Sequence, residues 1–280
     1  MKFGLFNINM GIGADPDNML RLAQTAEAAG FDSVWTGEHV VLPDPQVAPS
    51  PLPPEGLMLD PAVALAHIAA VTDEIRLGTG IIILPQRNPL VLAKELASVD
   101  VVSKGRLMFG VGVGYLEPEF AALGIPFDDR APRTVEYIEA MRAVWEMDKP
   151  EYHGEFVDFA GIQANPRPVQ NPSPPVVMGG HSAPAYRRAV TMCEGWYGFA
   201  LDVDGTRACV EGLATAAARN ERPDRFGTLE ISVTPRKRPT PELVAQLEEL
   251  GVDRMILLPR GETVEEWLGF VEDVASTLIA

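Results

Sequence analysis

The stretch Ala29-Gly30-Phe31-Asp32 joins the end of a helical pattern to a short run with the composition of a β-strand. A glycine at such a place fits the left-handed conformation in which many helices end. Three more joints have the same form, and they are Lys104-Gly105-Arg106, Glu194-Gly195-Trp196 and Leu250-Gly251-Val252-Asp253. Their recurrence indicates one repeated unit in which a helix is followed by a strand.

Strand-like and helical segments alternate along the chain, eight of each. Runs of β-branched and aromatic residues predict strands near 3–8, 32–36, 75–83, 106–113, 175–179, 196–201, 228–233 and 253–258. Apolar residues at helical spacing predict helices near 17–29, 60–71, 89–102, 132–147, 183–193, 205–219, 240–250 and 263–278. Eight strand-then-helix units predict an α/β fold, the closed (β/α)8 TIM barrel, which needs about 250 residues.

Helix starts have a matching signature. Asp15-Pro16, Asp60-Pro61 and Thr240-Pro241 each pair a capping side chain with proline at an early helical position. We therefore expect the first, second and seventh helices to begin there.

Unequal spacing between strands indicates where the barrel is extended. The longest interval follows the fourth strand, so we expect an insertion at about 114–174, with a small hairpin near 152–159, inside a single domain of residues 1–280. A proline-rich stretch, Pro43 to Pro61, follows the second strand. Both segments come after strands, on the face where barrel enzymes build their sites, so we interpret them as site walls; the alternative is that they are spacers.

The composition limits the possible partners. With 23 basic and 39 acidic residues, the formal net charge of −16 repels nucleic-acid phosphates and anionic membranes. No apolar run approaches the roughly 18 residues of a membrane span, and no signal-peptide pattern is present, so a cytoplasmic protein with a small-molecule substrate is expected. Two cysteines, Cys193 and Cys209, do not form a zinc or disulfide motif, and no metal site is expected.

Glu38 and His39, after the second predicted strand, form the strongest titratable pair. A histidine beside a carboxylate can move a proton near neutral pH, so we predict His39 as a catalytic group and Glu38 as the residue that orients or tunes it. A helix-capping or purely structural role is the alternative.

Glycines at strand ends are the second candidate feature. Gly179-Gly180-His181-Ser182 ends the fifth predicted strand, where free backbone N–H groups could face a phosphate or a ring carbonyl; the alternative is a tight turn capped by Ser182. The segment from Gly110 to Tyr115 lacks the third glycine of a dinucleotide-binding motif, so we interpret its glycines as room for a flat ligand. Few titratable groups and several glycine-lined strand ends favour chemistry carried by a cofactor.

Four segments, taken in order, resemble the bacterial luciferase-like flavin or deazaflavin oxidoreductases, the luciferase-like monooxygenase superfamily. They are Ala28 to Trp35 with Glu38-His39, Ile75 to Gly80 with Arg87-Asn88-Pro89, Ser103 to Gly114 with Glu119-Phe120, and Met178-Gly179-Gly180 with Ala189. The similarity covers about 1–200 well and the remainder by its strand-and-helix pattern.

The resemblance implies a barrel enzyme, usually a homodimer, that binds FMN or coenzyme F420 at the C-terminal mouth of the barrel. It places a non-prolyl cis peptide at Gly80–Ile81, behind the cofactor ring, and His39 near the reactive ring edge. Trp35 and Tyr115 are expected to shape the substrate side. The residues that the resemblance implies bind the cofactor are Gly80, Ile81, Val113, Gly114, Tyr115, Met178, Gly179 and Gly180.

The patterns around Thr79-Gly80-Ile81 and Trp35 to His39 look most like an actinobacterial deazaflavin group. The resemblance therefore favours an oxidoreductase that transfers a hydride between coenzyme F420 and a small organic substrate. The alternatives are an FMN-dependent luciferase-like monooxygenase, a non-catalytic flavin-binding paralogue and a cofactor-free barrel enzyme. Candidates for contacts with the cofactor phosphate are Arg187, Arg188, Arg236, Lys237 and Arg238.

Overall fold

The structure of the protein is a computed structural model that describes residues 1–279. The strands are β1 (Lys2–Phe6), β2 (Ser33–Thr36), β3 (Arg76–Thr79), β4 (Ile82–Ile83), β5 (Leu107–Gly112), β6 (Tyr152–His153), β7 (Asp158–Phe159), β8 (Val176–Gly179), β9 (Gly195–Leu201), β10 (Glu230–Pro235) and β11 (Arg254–Leu257). The α-helices are α1 (Pro16–Ala28), α2 (Pro61–Ala69), α3 (Pro89–Val102), α4 (Glu117–Ala122), α5 (Arg130–Glu146), α6 (Ala183–Met192), α7 (Val203–Arg219), α8 (Pro241–Glu249) and α9 (Val264–Val274).

Eight parallel strands close into a barrel, which confirms the predicted (β/α)8 fold. Their order around the barrel is β1, β2, β3, β5, β8, β9, β10 and β11. The pairing of β1 with β11 completes the ring, and the pairing of β3 with β5 bridges the point where β4 leaves it. All eight carboxyl ends therefore meet at one mouth.

The first, second and seventh predicted helices begin at the positions expected from the sequence. The Asp15 side chain accepts from the Asn18 amide at 3.0 Å, and Asp60 and Thr240 make the equivalent bonds at the starts of α2 and α8. At the helix ends, Gly30, Gly105 and Gly251 adopt φ between 81° and 84°. Gly195 differs because it is the first residue of β9 and does not adopt a positive φ.

Two apolar layers surround the strands because alternate side chains point to opposite faces. Inside the barrel lies a small cluster: Phe6, Trp35, Met108, Val177, Tyr197 and Ile256. The larger core fills the space between strands and helices. Trp35 is fully buried, and a Cβ atom on Gly78 would come within 2.4 Å of its ring, so glycine is required beside it.

A buried ionic cluster lies at the amino-terminal end of the barrel. Arg254 in β11 is fully buried; its Nε lies 2.8 Å from Oδ2 of Asp32, and its guanidinium also pairs with Glu230. Burial on its own raises the pKa of Glu230, but the cations of Arg254 and Lys2 outweigh it and hold that pKa below its ordinary value. The cluster ties β1, β2, β10 and β11 together at the end away from the mouth.

Two segments differ from the predicted elements. The expected third strand, 75–83, is divided into β3 and β4 by the Gly80–Ile81 peptide bond, which is cis as the resemblance implies. The insertion after the fourth barrel strand contains the expected hairpin, β6 and β7, and also the unpredicted short helix α4. Within residues 1–279, we find no helix that is both long and apolar enough to cross a membrane.

Candidate active site

A cavity of about 510 Å³ opens at the carboxyl ends of the barrel strands. It brings together nine of the ten residues that the sequence analysis proposed as catalytic or cofactor-binding. Those that line it are Glu38, His39, Gly80, Ile81, Val113, Gly114, Tyr115, Gly179 and Gly180. Pro51 and Met58 of the proline-rich segment line it too, in line with the interpretation of that segment as a wall.

Met178 and Trp35 lie elsewhere. In β8 the side chain of Val177 points into the barrel, so that of Met178 points to the surrounding helices, where it is fully buried in the outer core. Trp35 lies in the barrel interior beneath the cavity, with Nε1 donating to Oγ of Ser33 at 2.9 Å. Contrary to the expectations for Met178 and Trp35, neither side chain therefore lines the cavity.

Backbone and one isoleucine form the inner wall of the cavity. The side chain of Ile81, just after the cis peptide, lies over two glycines. A Cβ atom on Gly112 would come within 2.4 Å of Cδ1 of Ile81, and one on Gly179 within 3.2 Å of its Cγ2. The glycines therefore make room for Ile81, which presents an apolar surface to whatever the cavity holds.

His39 has hydrogen-bond partners on both ring nitrogens. Nδ1 lies 3.0 Å from Oε2 of Glu119 at the start of α4, and Nε2 lies 3.3 Å from the Tyr115 hydroxyl. The other carboxylate oxygen of Glu119 accepts from the Val40 amide at 2.6 Å. The side chains of His39 and Glu119 are 7% and 0% exposed, whereas Tyr115 is half exposed at the cavity.

These contacts shift the pKa values of Glu119 and Tyr115. Burial on its own raises the pKa of Glu119, but hydrogen bonds from His39 and Val40 and the charge of His39 lower it below the ordinary value. Burial, with the negative charge of Glu119, raises the pKa of Tyr115. Because the Glu119 carboxylate can only accept, Nδ1 of His39 carries a proton, and Nε2 accepts from the Tyr115 hydroxyl whenever Nε2 itself carries none.

Glu38 has a different partner from the one expected. Its buried carboxylate pairs with Arg87 and accepts from the Ile83 amide at 2.6 Å, so it faces β4 rather than the His39 ring. Burial raises the pKa of Glu38 even though the Arg87 cation acts in the opposite direction. The assignment of Glu38 as the residue that orients His39 is therefore corrected: Glu119 occupies that place.

Arg87 also ties down the end of the proline-rich segment. Its guanidinium lies 2.7 Å from Oδ2 of Asp60, the residue that caps α2. Burial on its own lowers the pKa of Arg87, but the charge of Glu38 and the bonds to both carboxylates raise it, so Arg87 is a permanent cation.

The segment that carries His39 is held from below by Asn9. The Asn9 amide accepts from the Gly37 N–H at 2.9 Å and donates to the carbonyl groups of Gly37 and Leu59 at 3.0 and 2.6 Å. The His39 amide, in turn, donates to Sδ of Met58 at 2.9 Å. These bonds hold the backbone at Gly37 and at His39 itself.

The turn after β8 presents free backbone donors. Ser182 precedes α6, but its side chain makes no capping bond, which removes the alternative in which it caps the turn. No acidic residue lies in the first turn of α6, so its amides and positive dipole end suit an anion. Gly180 adopts φ of 115°, and its carbonyl accepts from Nε1 of Trp196 at 2.9 Å.

The basic candidates divide into two groups. Arg188 is buried on α6, and neither it nor Arg187 lines the cavity. Arg236, Lys237 and Arg238 line a neighbouring cavity after β10.

Comparison with known proteins agrees with the sequence resemblance. The family model described as luciferase-like monooxygenase matches residues 1–240. An uncharacterized protein of Mycobacterium tuberculosis (strain H37Rv) is 31% identical over 288 residues, which span 99% of each chain. The oxygenase component of a flavin-dependent trigonelline monooxygenase from Acinetobacter baylyi is 32% identical over 199 residues, 68% of this chain and 52% of that one.

A solved structure shares the fold at low sequence identity. The structure of an F420-dependent secondary alcohol dehydrogenase in complex with an F420–acetone adduct has a TM-score of 0.79 and 15% identity, and the match covers 99% of this chain and 98% of that one. The family match over 240 residues and the full-length identity to the mycobacterial protein carry the assignment, and this chain belongs to the luciferase-like monooxygenase family of oxidoreductases.

Proposed function

We propose that the protein is a coenzyme F420-dependent oxidoreductase that transfers a hydride between the deazaflavin ring and a small organic substrate. The observation that carries the proposal is the chain of hydrogen bonds from Glu119 through His39 to Tyr115 at the cavity. A reaction that moves a hydride to or from a carbon–oxygen bond also requires a proton at the oxygen, and this chain supplies a proton path.

The cavity fits a tricyclic ring in size and lining. Its volume of about 510 Å³ lies within the range of small-molecule sites, and its walls are largely apolar. Ile81 would support one face of the ring, and Val113 and Gly114 would lie along it. The turn at Gly179 and Gly180, with the uncapped start of α6, would hold the phosphate of the cofactor.

When bound, the deazaflavin supplies or accepts the hydride. His39 binds the substrate oxygen and holds or removes its proton at Nε2, the nitrogen that faces Tyr115 and the cavity. Glu119 keeps the imidazole in one orientation and balances the charge that the ring carries when both nitrogens are protonated, as the carboxylate does in hydrolytic triads. The Tyr115 hydroxyl, half exposed, connects Nε2 to the substrate side.

The alternative is an FMN-dependent monooxygenase that uses reduced flavin and oxygen. The identity to the oxygenase component from Acinetobacter baylyi, over 68% of this chain, favours it. The full-length structural likeness to an F420-dependent dehydrogenase supports the fold that both activities share.

Titration of the purified protein with coenzyme F420 and, separately, with FMN tests the proposal through the change in ring fluorescence. We expect saturable binding of coenzyme F420 and much weaker binding of FMN. A preference for FMN would select the monooxygenase, and binding of neither would reject both.

Substitution of His39 tests the chemical step separately from cofactor binding. The variant His39→Ala should bind the cofactor as the wild type does and lose turnover. A matched control is His67→Ala, because His67 is an exposed residue on α2 outside the cavity lining.

A further inference from the structure

A second cavity of about 740 Å³ lies at the mouth of the barrel, after β10 and β11. Its lining includes four basic residues: Arg236, Lys237, Arg238 and Arg260. Phe199 lines both this cavity and the candidate active site, so the two spaces are neighbours. We call the second space the basic cavity.

The positive charge of the basic cavity is largely uncompensated. Arg238 pairs with Asp273. Within residues 1–279, no carboxylate lies within 4.0 Å of the charged nitrogens of Arg236, Lys237 or Arg260, although the chain carries 39 acidic residues against 23 basic ones. Three neighbouring cations that have no carboxylate partner line a cavity of a very acidic protein, and this arrangement favours an anionic ligand.

Glu266, the acidic residue in the lining of the basic cavity, already accepts hydrogen bonds from the backbone. Oε2 of Glu266 accepts from the amides of Glu262 and Thr263 at 2.7 and 3.1 Å, where it completes the capping box of α9. Glu266 therefore stabilises the start of its own helix and does not pair with the arginines.

Backbone contacts position two of the guanidinium groups. Arg236 donates from Nε to the carbonyl of Ala200, which leaves its terminal nitrogens free. Arg260 donates to the carbonyl of Arg236 at 2.8 Å. The side chains thus link the ends of β9, β10 and β11, and their remaining N–H groups can serve a ligand.

His181 lies between the two cavities and senses the charge of the basic cavity. Nε2 of His181, in the wall of the first cavity, accepts from the Phe199 amide at 3.1 Å. Partial burial lowers the pKa of His181, and the charge of Arg236 lowers it further. His181 is therefore neutral at pH 7 and adds no positive charge, so the attraction for an anion is concentrated at the basic cavity.

We propose that the basic cavity binds a phosphate or carboxylate group of a molecule whose other end lies in the candidate active site. The loops after β10 and β11 follow the seventh and eighth barrel strands, the place where barrel enzymes frequently bind phosphate. The anionic group belongs either to an acidic substrate or to the side chain of the cofactor. The reach into the active site rests on the proposed function, whereas anion binding itself does not.

Binding of inorganic phosphate to the full-length protein, without cofactor, tests the site by calorimetry. Lys237→Gln and Arg260→Gln remove two of the exposed cations, and we expect the double variant to bind phosphate at least about tenfold more weakly, because each substitution loses a charge-assisted hydrogen bond. The matched control is Arg207→Gln, which removes one exposed charge on α7, away from both cavities, and should bind as the wild type does. Equal affinity of the double variant and the wild type, or the absence of saturable binding, would overturn the proposal.

Titration with coenzyme F420 separates the two sources of the anion. If the cofactor carries it, the double variant loses affinity for coenzyme F420 and phosphate competes with the cofactor. If the substrate carries it, cofactor affinity is unchanged and phosphate binds equally well to the cofactor-loaded protein. A protein that binds phosphate at this site but no coenzyme F420 would reject the proposed function and leave the anion site standing.

Discussion

Replacing Glu119 with glutamine tests the buried carboxylate behind His39. Glutamine keeps the shape of the side chain but offers one acceptor oxygen in place of two. In the native protein, Oε1 serves the Val40 amide at 2.6 Å and Oε2 serves Nδ1 of His39 at 3.0 Å. If the glutamine oxygen stays with Val40, its amide nitrogen faces Nδ1, and the imidazole must carry its proton on Nε2. Tyr115 then loses its acceptor.

The size of the effect follows from that change of tautomer. We expect turnover to fall by about 10²- to 10⁴-fold, the range for a positioned acid–base group. The free energy of unfolding should fall by no more than about 1–3 kcal/mol, the cost of one buried polar group left without a partner, because the hydroxyl that loses its acceptor is half exposed. Cofactor affinity should change little, since Glu119 does not line the cavity.

Two measurements check the reasoning. Turnover is followed by the absorbance of coenzyme F420, and ¹⁵N NMR of the imidazole, in a chain with only four histidines, reports which nitrogen is protonated. The native protein should show the proton on Nδ1 of His39, and Glu119→Gln should move it to Nε2. Glu117→Gln, an exposed change in the same helix, is the matched control. A folded Glu119→Gln variant with native tautomer and native turnover would refute the assignment.

Three further substitutions and two measurements on the native protein have defined outcomes. His39→Ala should lower turnover by about 10²-fold or more with cofactor affinity retained, as measured by fluorescence titration and steady-state kinetics. Gly112→Ala places a Cβ atom 2.4 Å from Cδ1 of Ile81, so Ile81 must shift into the cavity; we expect weaker cofactor binding with little change in the urea midpoint, and unchanged affinity would contradict this. Arg254→Ala leaves Asp32 without its buried cation and Glu230 with Lys2 alone, and should cost about 3–5 kcal/mol in urea unfolding. In the native protein the contribution of Glu230 to this cluster, whose pKa is lowered, is present above its ordinary pKa of about 4.3 and is lost as the pH falls through the lowered value; stability that is flat through this acid range would contradict it. Finally, we expect a homodimer, so sedimentation should give twice 30.3 kDa, and a monomer mass would count against it.

The barrel could be predicted because its signals are local. Each helix needs one apolar face, and a proline with a capping side chain begins α1, α2 and α8. The division of the third strand could not be predicted from periodicity, because it depends on the backbone conformation at Gly80–Ile81. Only the family resemblance indicated the cis peptide there. The short helix α4 has six residues, too few for a periodic pattern to stand out.

The strand ends in the sequence indicated most of the residues that line the cavity, but they did not show which side chains pair with one another. Neighbours along an extended segment point in opposite directions, so Glu38 could not be assumed to serve His39. The true partner, Glu119, lies 80 positions away and meets His39 only because β2 and β5 end at the same mouth. Glu119 belongs to one of the segments that resemble the family, which was the available signal. The misplacement of Met178 follows from strand alternation, which the sequence already contained.

The two ion pairs that Arg87 makes, with Glu38 and with Asp60, affect which part of the sequence can change without disturbing the site. It pins the chain on both sides of the proline-rich segment, at the exit from β2 and at the start of α2. Apart from Met58, which accepts from the His39 amide, the residues between these two anchors can be exchanged and the loop can be shortened or lengthened at modest entropic cost, because its ends stay fixed. Substrate preference can thus change through this loop while the proposed proton path from Glu119 to Tyr115 is retained, which makes the segment the natural target for directed evolution.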